Sequence, residues 1–191
     1  MKHAALAMIR DEHQALAAML RSMLMLLDKS KKDRVPPPFD VLRAMLFYID
    51  EFPERLHHAH ESRLLFPMLR QAVPSLGPTL DRLESDHHQG EANVRELGHR
   101  LLAWEVLGNS RRAPFEQSAR SYVDAYIRHM ATEESEVLPA ALEHLSDEQW
   151  QALDRAFEEG GDPLAGTPPP DEYKPLFERI VMTAPAPIGL G

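Results

Sequence analysis

The strongest constraint on how this chain folds is an internal duplication built around histidine and glutamate. His57 and Glu61 are followed by Leu65, Phe66 and Pro67, and His129 and Glu133 are followed at the same spacing by Val137, Leu138 and Pro139. Upstream, Ile9, Glu12 and His13 match Leu83, Asp86 and His87: an apolar residue, two variable positions, an acid and a histidine. The histidine–glutamate copies lie 72 positions apart and the acid–histidine copies 74. One such match could arise by chance. Two in register, each centred on residues that dislike an apolar interior, describe a hairpin that occurs twice.

Hydrophobic periodicity says what kind of hairpin it is. Leu6, Ile9, His13, Leu16, Leu20, Met23 and Leu27 recur every three or four residues, the stripe of an amphipathic helix. Lys29–Pro38 reads as a loop ending in three prolines. A second stripe runs from about Phe39 to Arg70 through Leu42, Leu46, Ile49, His57, Glu61, Leu64 and Met68. Pro53 lies inside it and should kink or restart the helix. A third stripe carries Leu80, Leu83, His87, Val94, Leu97, Leu101 and Trp104, and a fourth carries Phe115, Tyr122, Tyr126, His129, Glu133, Val137 and Ala140. Turn regions at 71–78 and 108–114 separate them. Four long helices on short connections predict an all-α, antiparallel up-down-up-down bundle over residues 1–145. Residues 146–191 read as an extension: a short fifth helix from Ser146 to Glu159 with a Ser146/Gln149 capping box, then a Pro/Gly-rich arm or partly disordered tail, with one more helical piece expected over Asp171–Met182.

The placement of the polar residues carries the chemistry. His13, His57, His87 and His129 each lie on the apolar stripe of their own helix, with Glu61 and Glu133 on the same faces. A lone histidine there is more often a satisfied core residue. Four in four successive helices, beside two carboxylates, are a different case, because a buried carboxylate costs several kcal/mol unless paired or bound to a cation. Residues four apart on a helix are about 6 Å apart in rise and nearly aligned in direction, so one helix can offer an imidazole and a carboxylate to one centre. Four imidazoles and two carboxylates able to bridge suit two metal ions with two histidines each, leaving positions open for oxo, water or a diatomic ligand. Ligation by nitrogen and oxygen without sulfur suits iron or manganese and also admits zinc.

These residues resemble the hemerythrin-like family, the HHE cation-binding domains, over roughly residues 3–145. The resemblance implies a four-helix bundle with a non-heme di-iron centre that interacts with dioxygen or nitric oxide. Glu61 and Glu133 would bridge, with His13 and His57 on one metal and His87 and His129 on the other. The chain departs from the oxygen-carrying hemerythrins in two ways. Their second histidine on the third helix is replaced by Glu91, either a seventh ligand or a solvated acid, and their helix-four aspartate five residues after the histidine is here Glu133, four after His129. Gly90 either leaves room for a ligand or permits close packing. The pattern stands closer to sensing, iron handling or nitrosative stress than to reversible oxygen carriage.

His58, three before Glu61, could substitute for His57, but helix four has no histidine at the equivalent place; His58, His60 and His88 read instead as residues that back the ligands or face solvent, and His3, His99 and His144 as surface residues. Tyr122 and Tyr126 read as core packing, with a hydrogen bond to a ligand as the alternative. A ferritin-like scheme would instead use Glu54 with His57 and Glu84 with His87, but on adjacent helices and without His129 or Glu133. The 191-residue chain has no cysteine, which excludes disulfides, thiolate catalysis and iron–sulfur clusters. Its net charge of −9 argues against general nucleic-acid or anionic-membrane binding. No stretch approaches the roughly 18 apolar residues of a membrane span, and Arg10, Asp11, Glu12 and His13 interrupt any signal sequence, so a soluble cytoplasmic protein is the expectation. Three functions fit: a non-enzymatic binder or sensor of dioxygen or nitric oxide, a redox enzyme that reduces peroxide or oxidises ferrous iron, and metal storage. The sequence leaves oligomeric state open.

Overall fold

A computed structural model describes residues 3–159, 162–166, 171–186 and 188–190. Helix α1 spans Ala4–Asp33. It runs a turn beyond the stripe that announced it, absorbing part of the expected loop. Lys31 and Lys32 sit favourably in its last turn, and Lys29 pairs with Asp33 at 3.1 Å. The helix ends only at Arg34, in the left-handed conformation (φ 56°), ahead of the three prolines.

Residues 39–72 form one long helical run, α2, widened in two places into π-helical turns, at Asp50–His57 and Glu61–Leu65. Each has a proline as its cause. Pro53 lies inside the first. Pro67 follows the second, where the Phe66 N–H reaches back five residues to the Glu61 carbonyl. Proline offers no N–H and crowds the carbonyl four residues earlier, and the wider turn accommodates both. Helix α3 is Gly77–Leu107, and α4 occupies residues 112–144. The duplication repeats the device: Glu133–Val137 is a π-turn, Leu138 N–H bonds the Glu133 carbonyl, and Pro139 follows. Glu61 and Glu133 therefore each open a π-turn at the same place in their repeat.

The four long helices pack α1 on α2, α2 on α3, α3 on α4 and α4 back on α1. Two apolar compartments result. One gathers Met19, Met23, Leu42, Met45, Leu101 and Trp104 among others, and the other gathers Ile9, Phe66, Leu69, Leu80, Leu138 and Trp150. Between them lies a buried polar stratum containing His13, His57, Glu61, His87, His129 and Glu133.

The remaining helices close the compartments. Helix α5, Asp147–Glu159, opens on the expected capping box: Ser146 N–H donates to Gln149 Oε1 at 2.9 Å, and Gln149 N–H to Ser146 Oγ at 3.3 Å. Its Trp150, Leu153 and Phe157 seal the second compartment. A 3₁₀ turn at Asp171–Tyr173 leads into α6, Lys174–Thr183, whose Phe177 and Ile180 lie on the first. The Pro-rich stretch 167–170, part of the arm expected after Gly160, lies outside the described residues. There is no strand among the described residues, and no described helix is long and apolar enough to cross a membrane.

Candidate metal centre

The polar stratum holds two overlapping sets of side chains, each able to grip one cation. His13, His57, Glu61 and Glu133 form the first, and His58, Glu61, His87 and His129 the second. Within each set the candidate ligand atoms lie within 4.8 Å of one another. Donors bound at ~2.0–2.2 Å stand about 3 to 4.4 Å apart across a metal, so a slight contraction would close either set. All these residues are buried, Glu61 and Glu133 completely. Of the seven candidate ligands read from the sequence, His13, His57, Glu61, His87, His129 and Glu133 come together here, and Glu91 does not.

Protein atoms alone leave this stratum unsatisfied. Both oxygens of Glu61 and of Glu133, and the Nε2 atoms of His13 and His57, are buried without a hydrogen-bond partner. Their closest approaches are charge contacts: His13 Nε2 to Glu133 at 3.2 Å, His57 Nε2 to Glu61 at 3.3 Å, His87 Nε2 to Glu61 at 3.4 Å and His129 Nε2 to Glu133 at 3.0 Å. His87 Nε2 faces His129 Nε2 at 3.1 Å, so two ring nitrogens meet across a gap that needs a proton or a cation between them. Buried polar atoms go unpaired rarely, and several together mark a binding site.

The electrostatics say what balances the charge without a metal. Burial pushes the Glu133 carboxyl up, but His129, His13 and His87 outweigh it and hold it well below the usual range. Burial and Glu133 raise Glu61, which His57 and His87 bring down below its ordinary value. The imidazoles answer in kind. Burial pulls His87 down, yet Glu133 and Glu61 raise it to about 9. His57 and His129 are raised the same way, against burial, by Glu61 and Glu133 respectively. His58 differs: burial and the neighbouring His87, His57 and His129 lower it well below the usual range, leaving a neutral ring.

Three of the four inward-facing imidazoles expected from the duplication, those of His13, His57 and His87, are hydrogen-bonded to an outer group. The residue after each glutamate meets Nδ1 of the lone histidine of the other repeat: Ser62 Oγ lies 2.9 Å from His87 Nδ1, and Glu134 Oε1 3.0 Å from His13 Nδ1. The acid before each lone histidine faces Nδ1 of the next helix's histidine: Glu12 hydrogen-bonds His57 at 2.6 Å, whereas Asp86 stands 3.5 Å from His129 Nδ1, which is left without a hydrogen-bond partner. Such outer partners fix the ring and leave Nε2 for the metal. The conserved spacing of the acid in the two repeats thus has a structural use that the motif alone did not disclose.

His58 is the residue sequence reasoning left outside the set. It stacks on His87 at 3.9 Å between ring centroids, and its Nδ1 is held by Glu54 at 3.0 Å. Helix four carries Met130 at the matching place, so the duplication gave no signal for it. The proximity of His57 and His58 on a π-widened stretch is what lets both reach inward. Glu91 is the opposite case. It stands 46% exposed beside Arg95, 3.4 Å away, and joins neither set. The position one turn beyond His87 faces a surface groove rather than the stratum. Among the remaining histidines, His3 is not a plain surface residue but stacks on Trp150, and His60 lies half-buried against Phe157. His88, His99 and His144 are exposed. The ferritin-like arrangement is not assembled, because Glu84 pairs with Arg70 at the surface.

The family model for the Hemerythrin HHE cation binding domain matches residues 4–141. The chain belongs to this family. No curated protein sequence gives a significant match. The hemerythrin-like match takes in α1 through most of α4, and so covers every residue of both sets; α5 and α6 lie beyond it.

Beside the second set, this HHE domain has a cavity of about 60 Å³ lined by His58, Gly90, Tyr122, Tyr126 and His129 among others. Gly90 is small for a specific neighbour: a Cβ there would stand 2.7 Å from Glu54 Oε1. Glu54 is pinned by the Tyr122 hydroxyl, which donates at 2.9 Å, and by His58. Burial raises Glu54 to about 7, against the pull of the Tyr126 and Tyr122 hydroxyls. The buried tyrosines thus both pack and hydrogen-bond. Alanine in place of a mid-helix glycine ordinarily stabilises by about 0.5–1 kcal/mol. We expect Gly98→Ala, whose Cβ would meet nothing within 4 Å, to show that gain in thermal melts, and Gly90→Ala to forfeit it by displacing Glu54. Equal gains at both positions would contradict the packing described for Gly90.

Proposed function

We propose that this hemerythrin-like, cation-binding protein holds two iron ions and uses them to bind or sense a small oxidant-class ligand, dioxygen or nitric oxide. The observation that carries the reading is the pair of overlapping histidine–glutamate sets sharing Glu61 inside a buried stratum. His13 and His57 would hold one ion and His58, His87 and His129 the other, with Glu61 and Glu133 between them. A bound iron pair would supply open coordination positions for a diatomic ligand and one-electron exchange with it. The rest falls to the protein. Glu12, Ser62 and Glu134 orient the imidazoles of His57, His87 and His13, and the apolar compartments keep bulk water away from the stratum. The cavity of about 60 Å³ beside His58 and His129 offers a small ligand a place next to the second set.

The same reading takes the long helices as an antiparallel up-down-up-down bundle over 1–145, with 146–191 as an extension. A di-iron redox enzyme reducing peroxide is the second reading. It is favoured by the Tyr126 hydroxyl, 3.4 Å from His58 Nε2, which stands where a phenol could deliver a proton beside the centre.

Aerobic purification followed by metal analysis and absorption spectroscopy tests the proposal. Two irons per chain are expected, with near-ultraviolet charge-transfer absorption that responds to reductant, azide or nitric oxide. Sustained turnover of peroxide would transfer the assignment to the second reading, and an iron-free protein that takes up no added ferrous iron would end both. Glu91→Ala should leave metal content unchanged; loss of one ion in that variant would restore Glu91 to the ligand set.

A further inference from the structure

The chain beyond the matched domain reaches into the metal centre. We propose that the C-terminal extension is a positioning element for the first cation position, acting through Asp162 and Glu12 on His57. The inference rests on the metal-binding reading above and goes beyond it, since nothing in the HHE match extends past residue 141.

Glu12 is buried in the body of α1 and divides its carboxylate between two duties. Oε2 lies 2.6 Å from His57 Nδ1, and Oε1 accepts the backbone N–H of Asp162 at 3.0 Å. That N–H comes from a segment 150 residues away, and it is itself held in place. Asp162 Oδ1 accepts the Leu164 N–H at 2.8 Å, capping the short turn Pro163–Ala165, while Oδ2 accepts the hydroxyl of Tyr48, a fully buried residue of α2. From the same extension, the Phe157 ring stands edge-on to the His57 imidazole, 6.0 Å between centroids. A chain of contacts therefore runs from Tyr48 through Asp162 and Glu12 to His57. It fixes which nitrogen of the ring carries the proton and turns Nε2 toward the stratum.

The second repeat shows what the same design is without the strap. Asp86 occupies the place of Glu12 in the duplication, but stands 50% exposed and 3.5 Å from His129 Nδ1, and the described residues give it no backbone donor. A carboxylate held rigidly against a ligand imidazole strengthens that ligand, and loss of such a partner typically costs 10–100-fold in metal affinity. The two halves of a duplicated centre are thus made unequal by a segment that belongs to neither copy. The first position is the retentive one, and the second, beside the cavity, is the labile one.

Release of metal from the full-length protein into excess chelator tests this, with cobalt(II) as the probe ion. The wild-type protein should release its two ions in a slow and a fast phase. Glu12→Gln keeps the size of the side chain but cannot accept from both donors, and Tyr48→Phe removes only the hydroxyl that holds Asp162. Each should accelerate the slow phase by roughly 10–100-fold and leave the fast phase in place, whereas Asp86→Asn should act on the fast phase alone. In the proton spectrum of the cobalt-loaded protein, the His57 Nδ1 proton should exchange slowly with solvent in the wild type and rapidly in Tyr48→Phe. A merely structural role would lower the melting temperature without selecting one phase. Unchanged slow release in folded Glu12→Gln and Tyr48→Phe, with two ions still bound, overturns the positioning role and leaves the metal-binding reading standing. A wild-type protein that takes up no cobalt overturns both.

Discussion

Glu133→Ala is expected to cut bound metal from two ions per chain to one or none, while His99→Ala retains both. Glu133 is fully buried and touches His13, His129 and His87 at 3.2, 3.0 and 3.8 Å. No other side chain reaches across both halves of the stratum except Glu61, among the described residues. Groups that merely back a ligand are worth about 10–100-fold in affinity, so a carboxylate that would itself bind both ions should cost more. The variant also leaves three imidazoles without their shared counter-charge. Removing one partner of a buried charge pair costs about 3–5 kcal/mol, so the change should be visible in thermal melts as well. Glu133→Gln preserves the volume and separates the two effects. It should fold with a smaller stability loss and still fail to bind a pair of ions. Metal content measured on both folded variants checks the expectation, and full occupancy in Glu133→Gln would remove Glu133 from the centre.

Metal should also be a large contributor to stability. Without it, the stratum is balanced by protons, with His57, His87 and His129 drawn toward the charged form by Glu61 and Glu133. That balance is incomplete, because the carboxylate oxygens remain without hydrogen-bond donors. A cation that binds the folded state alone stabilises it by about 4 kcal/mol when present at ~1,000 times its dissociation constant. In a chain of this size each kcal/mol moves the melting temperature by about 2–4 °C. Calorimetry with and without ferrous iron under anaerobic conditions should therefore show an upward shift of roughly 8–16 °C, reversed by chelator. Glu61→Gln should lose most of that shift. A shift of the same size in Glu61→Gln would mean that the stabilising ions bind elsewhere.

Much of this was legible because the duplication and the helical period reinforce each other. His13, His57, Glu61, His87, His129 and Glu133 each fall on an apolar stripe, and a stripe position that carries a charge has few explanations. The Ser146/Gln149 cap was equally readable, being a local contact within one turn. What the residues did not disclose depends on helix geometry or on distant chain. His58 is adjacent to His57, and ideal helix spacing would turn the two about 100° apart. The π-turn over Asp50–His57 alters that spacing, and Pro53 was its one visible signal. Glu91 illustrates the reverse. Four residues after His87 is the right spacing for a ligand, but Glu54, sheltering under Gly90, occupies the inward space on that side. The role of Asp162 lay further out of reach, since its link to Glu12 is a backbone N–H and leaves no trace in side-chain pattern. The end of α1 lies beyond its apolar stripe, because Lys29–Asp33 reads as loop by composition while its charges suit the last turn of a helix.

The decisive question is whether acids and imidazoles from the four long helices hold a pair of cations. Anomalous X-ray diffraction from crystals of the iron-loaded protein, recorded on both sides of the iron absorption edge, measures this directly. Two iron peaks are predicted, one against His13 and His57 and the other against His58, His87 and His129, with Glu61 and Glu133 between them. Iron found singly, or only on exposed acids outside this stratum, would contradict it.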